Sequence, residues 1–114
     1  VSRRLWIAHA APSRGELIVD EGAARAITER KKSLLVAGVR KVLGHFDAGD
    51  VVDVASPTGL IARGVCGYDS DALAQIAEAS INELRLAGHE HPRPAIHRDD
   101  LAVLGDAFGA VAPD

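Results

Sequence analysis

The sequence predicts a mostly β fold with helices: a small, mostly antiparallel barrel on which two or three short helices pack. Three observations predict it. Short apolar segments at Glu16–Val19, Ser33–Val36, Val51–Val54 and Leu60–Tyr68 are separated by turn-forming Gly, Asp and Pro. Only the stretches after Asp20 and after Asp69 carry helical spacing of apolar residues. The resulting order lacks the regular strand–helix alternation of a parallel α/β sheet.

Taken in order, residues 1–14 read as a short apolar segment around Trp6 and Ile7, followed by an Ala-rich linker ending near Pro12. Glu16–Val19 has β character. Asp20 suits a helix N-cap and Glu21 suits the first turn, where the helix dipole favours an acid. The helix runs to about Arg30, with Ala23, Ala24 and Ile27 on one face. Ser33–Val36 reads as a buried strand, and Ala37-Gly38-Val39 as a bend. Val42 and Phe46 continue as β or irregular structure. Val51–Val54 and Leu60–Tyr68 form a hairpin about Ser56-Pro57-Thr58-Gly59. Gly64 and Gly67 in the return strand point to a bulge or a close backbone approach. Asp69-Ser70 caps a second helix carrying Leu73, Ile76 and Ala77, and Ser80 opens a further helical turn with Ile81 and Leu84. Residues 88–94 are a loop. Ala95–His97 and Leu101–Leu104 form a last β segment broken by Arg98-Asp99-Asp100, and residues 105–114 form a tail.

Composition supports a single folded domain. The chain has 114 residues, too few for two ordinary domains. Hydrophobic residues at 47% and charged residues at 25% match a folded soluble domain rather than a disordered one. Aromatics are only 4%, so the core must be aliphatic. No apolar run approaches the ~20 residues of a membrane helix. No signal-peptide h-region follows Val1-Ser2-Arg3-Arg4. Met is absent, so Val1 is expected to mark a boundary inside a longer protein. The single cysteine, Cys66, excludes an internal disulfide and fits a cytoplasmic setting. Its apolar surroundings favour a small buried residue over a reactive thiol.

Net charge is −3, but it is polarised along the chain. Residues 1–45 carry nine Lys/Arg against four Asp/Glu, and residues 46–114 carry four against twelve. The basic half gives the candidate phosphate contacts: Arg25, Arg30, Lys31, Lys32, Arg40 and Lys41, with Gly38 exposing backbone at the bend. The competing reading is a solvated helix end. No aromatics are interleaved for base stacking, and the overall acidity weakens long-range attraction of RNA.

Other chemistry is poorly served. Phosphoryl transfer needs backbone amides and a cation around the phosphates. No Gly-rich loop here joins a strand to a helix and is followed by a suitable Lys. Gly64-Val65-Cys66-Gly67 is too short for a phosphate cradle. His97-Arg98-Asp99-Asp100 superficially matches a kinase catalytic loop, but lacks its downstream Asn and any Asp-Phe-Gly. It reads instead as a turn closing the barrel. His89, His91 and His97 lack the spacing and rigid scaffold of a metal site. No catalytic, cofactor-binding or metal-binding residue is expected.

Four segments go beyond generic patterning. They are Lys32-Ser33-Leu34-Leu35-Val36-Ala37-Gly38-Val39, Phe46-Asp47-Ala48-Gly49-Asp50-Val51-Val52, Ile61-Ala62-Arg63-Gly64-Val65-Cys66-Gly67-Tyr68-Asp69-Ser70, and Ile96-His97-Arg98-Asp99-Asp100-Leu101. In this order and spacing they resemble the C-terminal PUA domain of bacterial glutamate 5-kinases, over about residues 15–104. Arg3-Arg4-Leu5-Trp6-Ile7 resembles the segment joining that family's kinase domain to its PUA domain. Two positions depart from the pattern: Val36 stands where the family usually has Pro, and Glu78 where it often has Gly.

The resemblance implies a PUA-like pseudo-barrel at residues 15–104, a linker at 1–14 and a tail at 105–114. It implies a parent enzyme that uses ATP and Mg to phosphorylate the side-chain carboxylate of L-glutamate, the first step toward proline. The ATP and glutamate sites would lie in a separate N-terminal kinase domain. PUA domains in general grip RNA with the first helix, the following bend and a late strand. Three readings therefore stay open: an accessory domain partnered by its own kinase domain, an RNA-binding module, or an oligomer contact of the parent. None involves a membrane.

Overall fold

The computed structural model describes residues 6–7, 12–83 and 93–104. Five strands form one sheet: β1 (Glu16–Val19), β2 (Val39–Leu43), β3 (Val51–Ser56), β4 (Gly59–Val65) and β5 (Leu101–Val103). Helix α1 (Glu21–Arg30) follows β1, and α2 (Ser70–Glu83) follows β4. The strand order is β2-β1-β3-β4-β5, with β1 and β3 parallel and every other pair antiparallel. The fold is therefore mostly β with helices, as the sequence predicts, and the sheet is mixed.

In β1 the side chains alternate. Leu17 and Val19 are sealed, while Glu16 and Ile18 are half-buried on the other face. Asp20 ends the strand and caps α1, its Oδ1 accepting from the Ala23 amide at 2.7 Å. Ala24 and Ile27 are the buried stripe of α1. The helix stops at Lys31, which takes a left-handed conformation (φ 57°), and the Lys32 amide folds back to the Ala26 carbonyl.

Beyond α1 the structure corrects two expectations. Ser33–Val36 is not a strand: only Leu34 pairs, in an isolated antiparallel bridge to Ile96. Leu35 points to solvent, and Val36–Gly38 tightens into a 3-10 turn closed by the Gly38 amide on the Leu35 carbonyl. The regular strand comes later, at Val39–Leu43, which takes up the β alternative expected around Val42 and begins at Val39, where a bend was expected. A bulge hides its alternation. Val19 opposes Val39 but Ile18 opposes Lys41, leaving Arg40 as the extra residue. Val39 and Val42 can then both join the core.

The hairpin forms as predicted, with Ser56 paired to Gly59. Its bulge falls between Val54 and Ala55, not at Gly64 or Gly67. Gly64 does mark a close approach: a Cβ there would stand 2.7 Å from Ile96 Cγ2 and 2.9 Å from the Asp100 carbonyl. The return strand ends at Val65 rather than Tyr68. From Cys66 onward the backbone bonds the Gly49-Asp50 turn and Ala95 instead of a neighbouring strand.

Asp69 opens α2 through its Oδ1 to the Ala72 amide at 2.8 Å. The helix is continuous to Glu83, so Ser80 starts no separate turn. Ala95–His97 contributes only the Ile96 bridge. Arg98–Asp100 is a 3-10 turn leading into β5, which matches the turn reading of His97–Asp100. Leu84, the loop at 88–92 and the tail at 105–114 lie outside the described residues. Among the described residues no helix is long and apolar enough to cross a membrane.

The main core fills the inner face of the sheet. Leu17, Val52 and Val54 join Ile27 of α1, Leu73 of α2 and Ile96 in one buried cluster. A second, small cluster of Ile7, Val51 and Ala102, with Val65 packed against it, is separate. The strand register puts Val51 and Val65 on the outer face.

Candidate nucleic-acid interface

A groove of about 640 Å³ opens where α1, the Lys32–Gly38 connection and the Pro94–Arg98 segment meet. The residue types explain why it exists. Gly22, Ala23 and Ala26 give α1 a flank with almost no side-chain bulk. Gly38 lets the 3-10 turn press against that flank, since a Cβ there would stand only 2.5 Å from Ala23 Cβ. Leu35, 58% exposed, forms an apolar wall. Lys32, Ser33, His97 and Arg98 supply the polar rim.

Hydrogen bonds hold the two sides in register. The Leu34 amide donates to the Ile96 carbonyl at 2.9 Å, and the Ala95 amide to the Leu34 carbonyl at 2.8 Å. The Arg98 amide donates to Ser33 Oγ at 2.7 Å. His97 Nδ1 accepts from the Asp99 amide at 3.0 Å, so the ring's other nitrogen is the one left for a ligand. At the far end, Asp20 is shared three ways. It caps α1, its amide donates to the Gly38 carbonyl at 3.1 Å, and its Oδ2 pairs with Arg40 Nη2 at 2.9 Å.

The candidate contacts separate in space. Lys32 and Gly38 line the groove. Arg30 stands four residues after Ala26, on the same side of α1. Lys31 turns back on its own helix, its Nζ donating to the Thr28 carbonyl at 3.3 Å. Arg40 belongs to the Asp20 ion pair at the groove's end, with Nη1 at 3.5 Å from the Ala37 carbonyl. Arg25 does not line the groove; it stands about 100° round α1 from the middle of the flank made by Gly22, Ala23 and Ala26. Lys41 is paired with Ile18 on the outer sheet face. Leu35, Ser33, Pro94 and Arg98 line the groove although sequence reasoning did not select them. The available signal was the doublet Leu34-Leu35 beside Lys32. A strand buried on one face cannot hide both leucines.

The acidic half gathers elsewhere. Asp47, Asp50, Asp69 and Asp71 share a polar cleft of about 590 Å³ with Arg14 and His45. Asp50 Oδ2 accepts from the Asp47 amide at 2.8 Å, and Asp69 caps α2, so two of these acids serve turns. No cluster of metal-ligating type occurs among the described residues. Cys66 is fully buried, and burial pushes its thiol pKa up.

Comparison with known proteins agrees with this architecture. The family model described as "PUA domain" matches residues 15–85. The chain is 48% identical over 105 residues to the glutamate 5-kinase of Thermobifida fusca (strain YX), covering 90% of the chain and 27% of that protein. It is 46% identical over 101 residues to the glutamate 5-kinase of Nocardia farcinica (strain IFM 10152), covering 88% and 27%. The chain thus spans about a quarter of the length of the kinases it matches. A PUA domain from Aeropyrum pernix K1, solved as a tartrate complex, superposes with a TM-score of 0.67 at 30% identity, over 83% of this chain and 46% of that one. A conserved PUA domain protein from Thermoplasma acidophilum shares the fold, with a TM-score of 0.63 at 22% identity, over 98% of this chain and 63% of that one. With its mixed five-stranded sheet, its two helices and the match across residues 15–85, the chain belongs to the PUA domain family.

Proposed function

We propose that this chain is the C-terminal accessory domain of a cytoplasmic glutamate 5-kinase, with residues 1–14 as linker, 15–104 as the PUA domain and 105–114 as tail. The observation that carries this reading is the 48% identity across 90% of the chain to a kinase of which the match covers only 27%. The parent would transfer the γ-phosphoryl group of ATP to the side-chain carboxylate of L-glutamate, toward proline. The remaining part of the parent would hold ATP, Mg and glutamate. This domain would act on its assembly or regulation.

The test is an acyl-phosphate assay on the full reading frame. Glutamyl 5-phosphate is trapped by hydroxylamine as the hydroxamate. The full protein is expected to form hydroxamate with glutamate and ATP, and residues 1–114 alone to form none. A full protein inactive on glutamate would overturn the reading.

A second reading, an RNA contact at the groove, is favoured by one arrangement. Lys32 and Arg98 line the same groove as the apolar Leu35 and Ala37. Such a surface offers cations to phosphates and a flat apolar side to a base. Binding of single-stranded RNA should weaken with salt, with a slope of about −0.7 per phosphate contacted. Lys32→Ala should reduce that slope by about 0.7, and Arg25→Ala should leave it unchanged. Equal effects from the two substitutions would remove the groove from the account.

A further inference from the structure

The outer face of the sheet lies opposite the main core, and register orders its residues in rows. One row runs Lys41, Ile18, Ala55, Leu60. The next runs Leu43, Glu16, Asp53, Arg63, Ala102. Leu43 is 42% exposed and Leu60 48% exposed. The charges between them are matched: Arg63 Nε donates to Asp53 Oδ1 at 3.0 Å. The same guanidinium reaches out of the sheet, and its Nη1 donates to the Ile7 carbonyl at 3.2 Å. Ile7 is itself fully buried against Val51 and Ala102, while its neighbour Trp6 is half exposed. Ile7 is thus pinned on this face by its apolar side chain and one charge-assisted hydrogen bond.

We infer that this outer face is the seat on which the larger, N-terminal part of the parent enzyme docks, an inference that rests on the glutamate 5-kinase reading. Three observations converge on that occupant. Ile7, on the N-terminal side of β1, is anchored on this face. The matched kinases devote only 27% of their length to this region, so most of such a chain lies beyond it. The inner face is closed by its own core, and of the four large apolar side chains most exposed among the described residues, Leu43 and Leu60 lie on the outer face with Trp6 beside Ile7. Attachment through a short linker makes docking intramolecular, at an effective concentration of about millimolar. A modest patch therefore suffices. The complementary surface offers apolar contacts to Leu43, Ile18 and Leu60, with an acidic group facing Lys41 and a basic group facing Glu16.

Hydroxyl-radical footprinting of the full-length enzyme tests this directly. Leu43, Leu60 and Leu35 have similar exposures in this domain alone, at 42%, 48% and 58%, and Leu35 lies in the groove as an internal reference. With the outer face docked, Leu43 and Leu60 should be oxidised at least about fivefold more slowly than Leu35, as befits side chains covered by an interface. Similar oxidation of all three, in a protein that phosphorylates glutamate, overturns the docking and leaves the parent reading standing. Protection that grows with protein concentration means that a second copy covers the face, which also overturns it. A full-length protein that does not phosphorylate glutamate removes the parent reading and this inference together.

Discussion

On the inner face of the sheet, Leu17, Val19, Val52 and Val54 share a cluster with Ile27 and Leu73, and all six are sealed from water. On the outer face, the buried cluster is Ile7, Val51 and Ala102, and the remaining rows mix leucine with Glu16, Lys41, Asp53 and Arg63. The difference separates stability from contact. Burial of apolar area is the main stabilising term, and among the described residues eighteen gather in the inner cluster against three in the outer one. Charges spread through the outer rows leave its strands soluble enough to meet a partner without being part of the core.

The widest separation between the faces should come from paired truncations. Leu17→Ala is expected to cost about 2–5 kcal/mol, as for other buried leucines. Ile7→Ala should cost less. Its full burial is worth about 1.5–3 kcal/mol at most, and a peripheral segment can detach without unfolding the rest. Urea denaturation of both variants measures this. Equal losses would mean that the outer cluster is a second core, not a strap.

Next in size is Gly38→Ala, at the inner wall of the groove. The new methyl would stand 2.5 Å from Ala23 Cβ, so α1 and the 3-10 turn must separate. The expected cost is about 1–3 kcal/mol, with weaker protection of the Asp20 amide that donates to the Gly38 carbonyl. A neutral substitution would show that the groove wall yields freely.

Asp20 gives a smaller, divisible effect. Asp20→Ala removes a helix cap and an ion pair together, for about 1–2 kcal/mol. Asp20→Asn keeps a capping oxygen and loses only the half-exposed pair with Arg40, for about 0.2–1 kcal/mol. Thermal unfolding of the two variants separates cap from charge. If Asn is as damaging as Ala, the ion pair and not the cap holds the groove's end.

The inner face was largely legible from the sequence, and the reasons are local. Leu17 and Val19 alternate, Asp20 is a capping residue, and Ser56–Gly59 is a two-strand turn, so β1, α1 and the hairpin follow from short-range chemistry. The misreadings fall where tertiary contacts override pattern. Leu34-Leu35-Val36 has strand composition, yet only Leu34 finds a partner, sixty-two residues away at Ile96. Arg40 is a bulge residue, which breaks the period-two signal of β2. The groove was half legible. Lys32 and Gly38 stood out as charge and bend, but Pro94, His97 and Arg98 reach it only because β5 folds back beside β4. Helical phase separates Arg25 from the groove, and strand register assigns Lys41 to the other face. A linear run of basic residues shows neither.

Cys66 offers the finest probe of how dry the inner side is. Its thiol is fully buried, and burial raises its pKa above the ordinary 9.0. The unfolded chain ionises near that ordinary value, while the folded chain holds the proton longer. The unfolded state therefore binds fewer protons above pH 9.0, and linkage makes stability fall as pH rises through that region. Below it, both states carry the thiol and Cys66 adds no pH dependence. Comparing the protein with Cys66→Ala from pH 8 to pH 10.5 isolates the effect, because lysine and tyrosine titrate alike in both. The stability advantage of cysteine over alanine should shrink progressively as pH rises through 9.0. A difference that stays flat across the range would mean that Cys66 ionises as readily folded as unfolded. The edge of the sheet where β4 meets Ala95 would then admit water, and the contrast between a sealed inner face and a wet outer one would end there.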